Sequence, residues 1–272
     1  MNGTERVAEA FARARAEGRS AALMPYLMGG FPDLAASRRI GLAYAEGGAD
    51  LVELGVPFSD PLADGPVIQA AGGQALRAGA TVEAVLEVGS AIAERLPVVA
   101  MCYANTIYAR GSERFADTLV AASISGLIVP DLPLEEAPSL RALCDERGLA
   151  LVPLAAPTTP DERLAQIGAT ARGFVYLVSL TGTTGERAGL ADQLGELVSR
   201  MAARTEVPVA VGFGISTPKH VAAAATAGAD GVIIGTRLVR AAGEEPDPAA
   251  AVSELVRSFA AALNERPDGS RR

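Results

Sequence analysis

The sequence predicts an α/β protein of the (β/α)8 class, a TIM barrel formed by a single domain. Eight short apolar runs recur along the chain, separated by stretches with helical periodicity. Continuous apolar runs are typical of parallel strands that are buried on both faces, and alternation of strand and helix favours right-handed crossovers. Eight such units in about 250 residues match the barrel. The runs lie at 21–29, 50–56, 97–103, 126–132, 149–155, 173–179, 207–213 and 231–236.

An open, doubly wound sheet is the alternative architecture for the same alternation. Such sheets usually carry a G-x-G-x-x-G sequence directly after the first strand. Here the first run ends in MGGFPD, at residues 28–33, which does not fit that pattern. The sequence therefore favours the closed barrel.

The segments between the runs have the signals expected of helices. Residues 1–20 are polar with helical periodicity, and they predict an extra N-terminal helix before the first strand. A threonine pair followed by proline precedes the stretch that begins at residue 161, which is a helix-start signal. Further helices are predicted at 35–46, 135–147 and 161–167.

The longest interval lies between the second and third runs. It contains a polar loop at 57–66 and two helical patterns, with Thr81 predicted to cap the second. We find no linker, so one domain over residues 1–272 is predicted, with a frayed tail at 265–272.

The charge balance narrows the classes of partner. A formal net charge of −8 argues against nucleic acids and anionic membranes, since both require a basic surface. It leaves room for an anionic small ligand, because backbone N–H groups can bind phosphate. The first residues are not a signal peptide and no run reaches the ~18 apolar residues of a membrane span, so we expect a cytoplasmic protein.

Residue types that often carry chemistry are scarce. His220 is the single histidine and Lys219 is the single lysine, which excludes a three-histidine zinc site. Both follow the sequence STP, so we expect them in the first turn of an exposed helix rather than in a catalytic centre. Cys102 and Cys144 show no metal-ligand or disulfide spacing and are predicted to be buried thiols.

Glu53 is the first candidate catalytic residue. Side chains alternate along a strand, so Glu53 lies on the face opposite to Val52 and Leu54. The aliphatic face suits packing against outer helices, which directs Glu53 into the barrel near its C-terminal mouth. Burial raises the pKa of a carboxylic acid, and such a group is a candidate general acid–base. A structural ion pair is the alternative, but no cationic partner is evident nearby.

Asp64 lies on the loop after the same strand, in the sequence LADGP. Considered alone, an Asp-Gly-Pro sequence is typical of a turn or a helix cap. Because Glu53 belongs to the same βα unit, Asp64 is also a plausible second carboxylate at the barrel mouth.

The last three strands end in glycine-rich sequences that indicate a phosphate site. Barrels often bind phosphate with the loops after strands seven and eight. Strand seven ends with Gly212 and Gly214, and strand eight ends with Gly235 and Thr236 directly before a helix. Backbone N–H groups there can approach a phosphate closely. The loop after strand six, at 179–190, is rich in Gly and Thr and is interpreted as a mobile lid.

Several sequence motifs of this chain resemble those of the tryptophan synthase alpha chain family. The 15-residue segment VELGVPFSDPLADGP, at 52–66, carries most of the specificity. Other motifs follow in the family's order over nearly the full length. They are PYLMGGFPD (25–33), MCYAN (101–105), VPDLP (129–133), YLVSLTGTTG (176–185), GFGIS (212–216) and IIGTRLV (233–239).

The resemblance implies a lyase that cleaves indole-3-glycerol phosphate to indole and glyceraldehyde 3-phosphate, the penultimate step of L-tryptophan biosynthesis. It places the catalytic roles on Glu53 and Asp64. Phosphate-binding roles are implied for Gly185, Gly214, Gly235 and Thr236, and ring-contact or lid roles for Tyr26, Tyr103, Tyr176 and Thr184.

The resemblance also implies an α2β2 heterotetramer with a beta chain that carries pyridoxal phosphate. Pro57 and Asp60 would lie at that interface, and this chain itself would use no cofactor. Three alternatives stay open: another phosphate-binding barrel enzyme, a stand-alone lyase that releases free indole, and a non-catalytic barrel that activates a partner.

Overall fold

The computed structural model describes residues 1–178, 187–212 and 214–264. The frayed tail predicted at 265–272 lies outside these ranges. All eight predicted strand positions are confirmed, and the fifth is divided into two short strands by Pro153. The strands are β1 Ala22–Met28, β2 Val52–Gly55, β3 Val98–Met101, β4 Gly126–Ile128, β5 Ala150–Val152, β6 Leu154–Ala155, β7 Val175–Val178, β8 Val209–Gly212 and β9 Gly231–Ile234.

The sheet is entirely parallel in its described pairings, in the order β5-β4-β3-β2-β1-β9-β8-β7-β6. Its two outer members are consecutive in the chain: β5 pairs with β4, and β6 pairs with β7. The carbonyl of Pro153, between them, accepts a hydrogen bond from the Tyr176 N–H at 3.0 Å. The divided strand therefore closes the barrel, which confirms the predicted (β/α)8 class.

The helices surround the strands and follow the predicted alternation. Thr81 caps the helix that follows it, as predicted, by accepting a hydrogen bond from Ala84 N–H at 3.2 Å. The helices are α1 Gly3–Ala16, α2 Leu34–Glu46, α3 Pro66–Arg77, α4 Val82–Ala93, α5 Ala104–Tyr108, α6 Ser112–Ala121, α7 Pro138–Arg147, α8 Asp161–Thr170, α9 Arg187–Ala202, α10 Pro218–Thr226, α11 Thr236–Glu244 and α12 Pro248–Asn264.

The barrel interior has its own apolar core, which the N-terminal helix completes. Val7 and Phe11 of α1 pack with inward-facing strand residues such as Met24 and Leu51. The Phe11 ring lies 5.8 Å from the Phe174 ring, measured between centroids. The N-terminal end of the barrel is thus closed by apolar packing, and any site must lie at the opposite mouth. None of the helices in the described ranges is both long and apolar enough to cross a membrane.

Candidate active site

A cavity of about 490 Å³ opens at the C-terminal ends of the strands. This is where (β/α)8 barrels carry their active sites. Seven residues that the sequence pointed to line this one cavity. They are Tyr26, Glu53, Asp64, Tyr176, Gly214, Gly235 and Thr236.

Glu53 projects from β2 into this cavity, on the predicted face. Val52 and Leu54, its neighbours, pack in the outer core beneath the helices, whereas Leu51 belongs to the interior core. The side chain is 2% exposed, and its Oε2 atom has no hydrogen-bond partner among the described residues. Burial, with a smaller contribution from the nearby Asp64 carboxylate, raises the pKa of Glu53 to about 8. The structural ion pair considered as its alternative role is therefore absent from the described part of the chain.

Asp64 faces Glu53 from the loop between β2 and α3. The loop is tied to the helix because Gln69 Nε2 donates a hydrogen bond to the Asp64 carbonyl at 2.8 Å. Gly65 is the N-cap of α3 and no side chain caps it, so the carboxylate of Asp64 does not act as the helix cap. Burial raises the pKa of Asp64, and the hydroxyl of Tyr103 beside it opposes that shift.

Tyr103 holds this loop from below. Its hydroxyl accepts a hydrogen bond from the Ala63 N–H at 3.0 Å, and its ring stacks on Phe58 with centroids 5.2 Å apart. Tyr103 is not among the residues that line the cavity. The structure thus places Tyr103 against the loop that carries Asp64, and the ring contact that the resemblance implies stays a prediction.

Two other tyrosines form the cavity floor, and each requires a glycine on a neighbouring strand. A Cβ atom on Gly55 would collide with the Tyr26 hydroxyl, and one on Gly212 would collide with the Tyr176 hydroxyl. The missing side chain of Gly212 thus makes room for the Tyr176 hydroxyl, and a role of the Gly212 backbone in phosphate binding stays a prediction.

The part of the cavity wall at the start of α11 offers backbone N–H groups. Gly235 is the N-cap of α11, and its carbonyl accepts from Leu238 N–H and Val239 N–H at 2.9 and 3.1 Å. The N–H groups of the first two helical residues, Thr236 and Arg237, have no intrahelical partner at such a terminus. Gly214 has φ +73°, a left-handed conformation that glycine adopts without strain. Exposed N–H groups at a helix N-terminus suit an anion.

Three lining residues with polar or charged side chains were not candidates from the sequence: Ser216, Arg237 and Arg240. The two arginines are three residues apart in the first turns of α11, so they share a helix face. That spacing directly after the eighth strand is visible in the sequence and could have indicated a cationic side to the phosphate site.

Two predicted residues, Thr184 and Gly185, lie outside the described residues, as does most of the loop after β7. Of the predicted interface residues, Pro57 is buried within the chain and Asp60 is exposed. Leu62, on the same loop, is 89% exposed.

The remaining candidate residues do not line the cavity, although His220 Nδ1 lies 3.4 Å from the hydroxyl of the lining residue Ser216. Lys219 and His220 are exposed in the first turn of α10, as predicted. Cys102 and Cys144 are free and buried. Within the three described ranges, no cluster of His, Cys, Asp and Glu could hold a metal ion.

The closed parallel barrel and the two carboxylates at its C-terminal mouth define a TIM-barrel enzyme. The comparison with protein families is more specific, because residues 11–266 match the model of the tryptophan synthase alpha chain. The chain belongs to the tryptophan synthase alpha chain family, whose members are lyase subunits.

Relatives and solved structures agree with this assignment. A tryptophan synthase alpha chain of Prochlorococcus marinus is 50% identical over 236 residues, covering 86% of each chain. One from Methanosarcina mazei is 44% identical over 260 residues, covering 96% of this chain and 95% of its own. A structure of Mycobacterium tuberculosis tryptophan synthase is 39% identical with a TM-score of 0.88, covering 96% of this chain and 99% of its own.

Proposed function

We propose that this chain cleaves indole-3-glycerol phosphate to indole and glyceraldehyde 3-phosphate, using Glu53 and Asp64. The observation that carries the proposal is the buried Glu53 carboxyl, which has no described hydrogen-bond partner and faces a cavity that the N-terminus of α11 also lines. The substrate has matching ends: an indole ring that needs acid–base help and a phosphate that needs an anion site.

The first step is protonation of the indole ring. Because its pKa is raised to about 8, Glu53 holds a proton at neutral pH. It transfers this proton to C3 of the indole, and positive charge develops on the ring nitrogen. Ionised Asp64 accepts the hydrogen bond of the indole N–H and stabilises that charge.

The second step is cleavage of the carbon–carbon bond. Glu53, now a carboxylate, removes the proton from the hydroxyl on the side-chain carbon attached to C3. The bond between that carbon and C3 breaks, its electron pair restores the neutral indole, and the carbon becomes the aldehyde of glyceraldehyde 3-phosphate. Glu53 ends protonated, as it began, so the step needs no lysine Schiff base.

The other cavity residues position the two ends of the substrate. Tyr26 and Tyr176 lie beside the carboxylates and would contact the indole ring. Gly214, Gly235 and Thr236 would hold the phosphate through backbone N–H groups and a hydroxyl. By the family resemblance, Gly185 would add a further phosphate contact and Thr184 would close over the bound substrate.

The direct test is to incubate the purified chain with indole-3-glycerol phosphate and quantify indole by chromatography, with and without a tryptophan synthase beta chain. We expect indole and glyceraldehyde 3-phosphate in equal amounts. Production of neither compound under both conditions would contradict the proposal and favour a non-catalytic barrel. Equally fast turnover without the beta chain would favour a stand-alone lyase.

We also propose that the chain assembles with a beta chain as an α2β2 complex. A related structure is described as the tryptophan synthase a2b2 complex of Pyrococcus furiosus; it is 37% identical to this chain with a TM-score of 0.83. Here the mouth carries exposed apolar side chains, Leu62 and Tyr108, which are 89% and 52% exposed. Asp60 and Leu62 belong to the loop after β2, and Tyr108 belongs to the helix after the neighbouring strand β3, so we propose that a protein partner binds there.

Comigration on a size-exclusion column tests the assembly. Leu62→Asp should weaken it, because a charge would be buried without a partner. Val120→Asp is the matched control, since Val120 is 45% exposed on α6, outside the proposed surface. Loss of assembly in both variants, or in neither, would contradict this placement of the interface.

We place pyridoxal phosphate in the partner only and propose that this chain acts without a cofactor. Lys219, its single lysine, is exposed on α10 and is not among the residues that line the cavity. We further propose a cytoplasmic location, which the free thiols of Cys102 and Cys144 support.

A further inference from the structure

Two arginines line the part of the cavity formed by the start of α11. Arg237 is half-buried and Arg240 is exposed, and both line the cavity together with Thr236. Because they are three residues apart on α11, their side chains project from one face of the helix. Backbone N–H groups and two cations thus converge on one part of the cavity wall.

The charge of the cavity shows what these cations could do. Among the described residues that line the cavity, the acidic side chains are Glu53 and Asp64. A phosphate monoester carries about −1.5 to −2 charges at neutral pH. Ionised Asp64 would repel it, and the chain as a whole has a formal charge of −8. Two arginines in the same cavity wall would offset that repulsion.

The position of Arg237 also indicates that an anion binds here. It lies in the first turn of α11, where the helix dipole disfavours a cation. That turn contains no acidic residue, and neither arginine forms a salt bridge within the described ranges. An anion bound at this terminus would satisfy the dipole, the unpaired N–H groups and the guanidinium groups together. The unpartnered Glu53 carboxyl in the same cavity independently marks it as a ligand site.

We propose that Arg237 and Arg240 bind the substrate phosphate and select phosphorylated over unphosphorylated indole-glycerol. Arg237, which is closer to the helix N-terminus and less exposed, contacts the phosphate directly. Arg240 stands further out and attracts the dianion during entry. This inference rests on the proposed function, because it concerns the same cavity and the same substrate.

Calorimetric titration of the full chain with glycerol 3-phosphate measures the anion site without any catalysis. We expect Arg237→Gln to weaken binding by about 10-fold, as for a charge-assisted hydrogen bond, and Arg240→Gln by about 3-fold, as for an exposed ion pair. Arg39→Gln is the matched control, because it removes the same charge from an exposed position on α2 outside the cavity. Unchanged affinity in both cavity variants, or an equal loss in the control, would overturn the proposal.

Kinetics distinguish phosphate binding from a structural role. Arg237→Gln should raise KM for indole-3-glycerol phosphate with kcat nearly unchanged, because the phosphate does not react. Affinity for indole alone should stay the same, and Arg237→Lys should recover part of the lost affinity. A parallel loss of indole binding would indicate a structural defect and overturn the proposal.

The two proposals can fail separately. A chain that forms no indole, yet binds glycerol 3-phosphate more weakly in Arg237→Gln, would contradict the proposed reaction and support the role of the arginines. An active chain whose KM is the same in both cavity variants would leave the reaction intact and overturn only the role of the arginines.

Discussion

The segment that contains strand β2 places one buried carboxylate towards each end of the barrel, and the two carboxylates have different surroundings. Asp50, just before the strand, and Glu53, within it, are each 2% exposed. Asp50 Oδ2 accepts hydrogen bonds from Arg19 Nη1 and from the Leu23 N–H, both at 2.8 Å. Glu53 Oε2, in contrast, has no described partner. Burial raises the pKa of both, but only at Asp50 do a backbone hydrogen bond and a guanidinium oppose it.

Two carboxylates only three residues apart therefore have different roles: Asp50 contributes to stability and Glu53 is available for function. A buried charge is tolerated when it is paired and hydrogen-bonded, and Asp50 meets both conditions. Glu53 meets neither and stays neutral at the cost of a raised pKa, which is useful in a proton donor. The N-terminal end of the barrel therefore holds the fold together, whereas the C-terminal mouth retains an unsatisfied group that a substrate can engage.

The largest effect is expected from removing the acid function at the mouth. Glu53→Gln and Asp64→Asn should each lower turnover by about 10²- to 10⁴-fold, the range that general acid–base groups contribute, while the chain stays folded. Indole release is the readout, and circular dichroism checks folding. Glu87→Gln, the same change on the exposed face of α4, should be fully active. Turnover near wild type in both cavity variants would refute the catalytic assignment.

At the opposite end, Asp50→Ala should lower the free energy of unfolding by about 3 kcal/mol, because it leaves Arg19 and the Leu23 N–H without their partner. Turnover of the folded fraction should not change. Urea unfolding measures the stability. Asp117→Ala is the control, since Asp117 pairs with Arg147 at the surface, where such pairs contribute about 0.5 kcal/mol. An equal loss of unfolding free energy in the two variants would show that the buried pair of Asp50 and Arg19 stabilises the fold no more than a surface salt bridge does.

The raised pKa of Glu53 predicts a pH-dependent stability. Folding shifts its pKa from 4.5 to about 8, so between these values the folded chain holds a proton that the unfolded chain has lost. Wild-type stability should therefore fall as pH rises through this window. Glu53→Gln cannot ionise, so it should be more stable than wild type by about 2 kcal/mol at pH 6, with the difference growing up to pH 8, and similar to it near pH 4. A stability difference that does not vary with pH would contradict the shift.

The smallest effect concerns the support of Asp64. Tyr103→Phe removes the acceptor for the Ala63 N–H and the hydroxyl that keeps the pKa of Asp64 from rising further. We expect a loss of about 1 kcal/mol in stability and a shift of the acidic limb of the pH–rate profile to higher pH. Tyr108→Phe, on exposed α5, is the control. An unmoved acidic limb would mean that Tyr103 only packs against the loop.

Local signals in the sequence were sufficient for much of the fold. Eight apolar runs indicated eight strand positions because strands buried on both faces admit few polar residues. The division of the fifth strand at Pro153 was not predicted, although proline removes a ladder donor there. The packing role of Gly212 was also not predicted, because a glycine that makes room for a tyrosine far away in the sequence looks the same as one that binds phosphate.

The sequence by itself determined the alternation of strand and helix and the inward direction of Glu53, since both follow from periodicities along a few residues. Only the tertiary structure decided which groups meet. Closure of the barrel brings Arg19 to Asp50, and Arg237 and Arg240 to the cavity that holds Glu53. The physical reason is that pairing and burial depend on contacts between residues far apart in the chain, which local patterns do not specify.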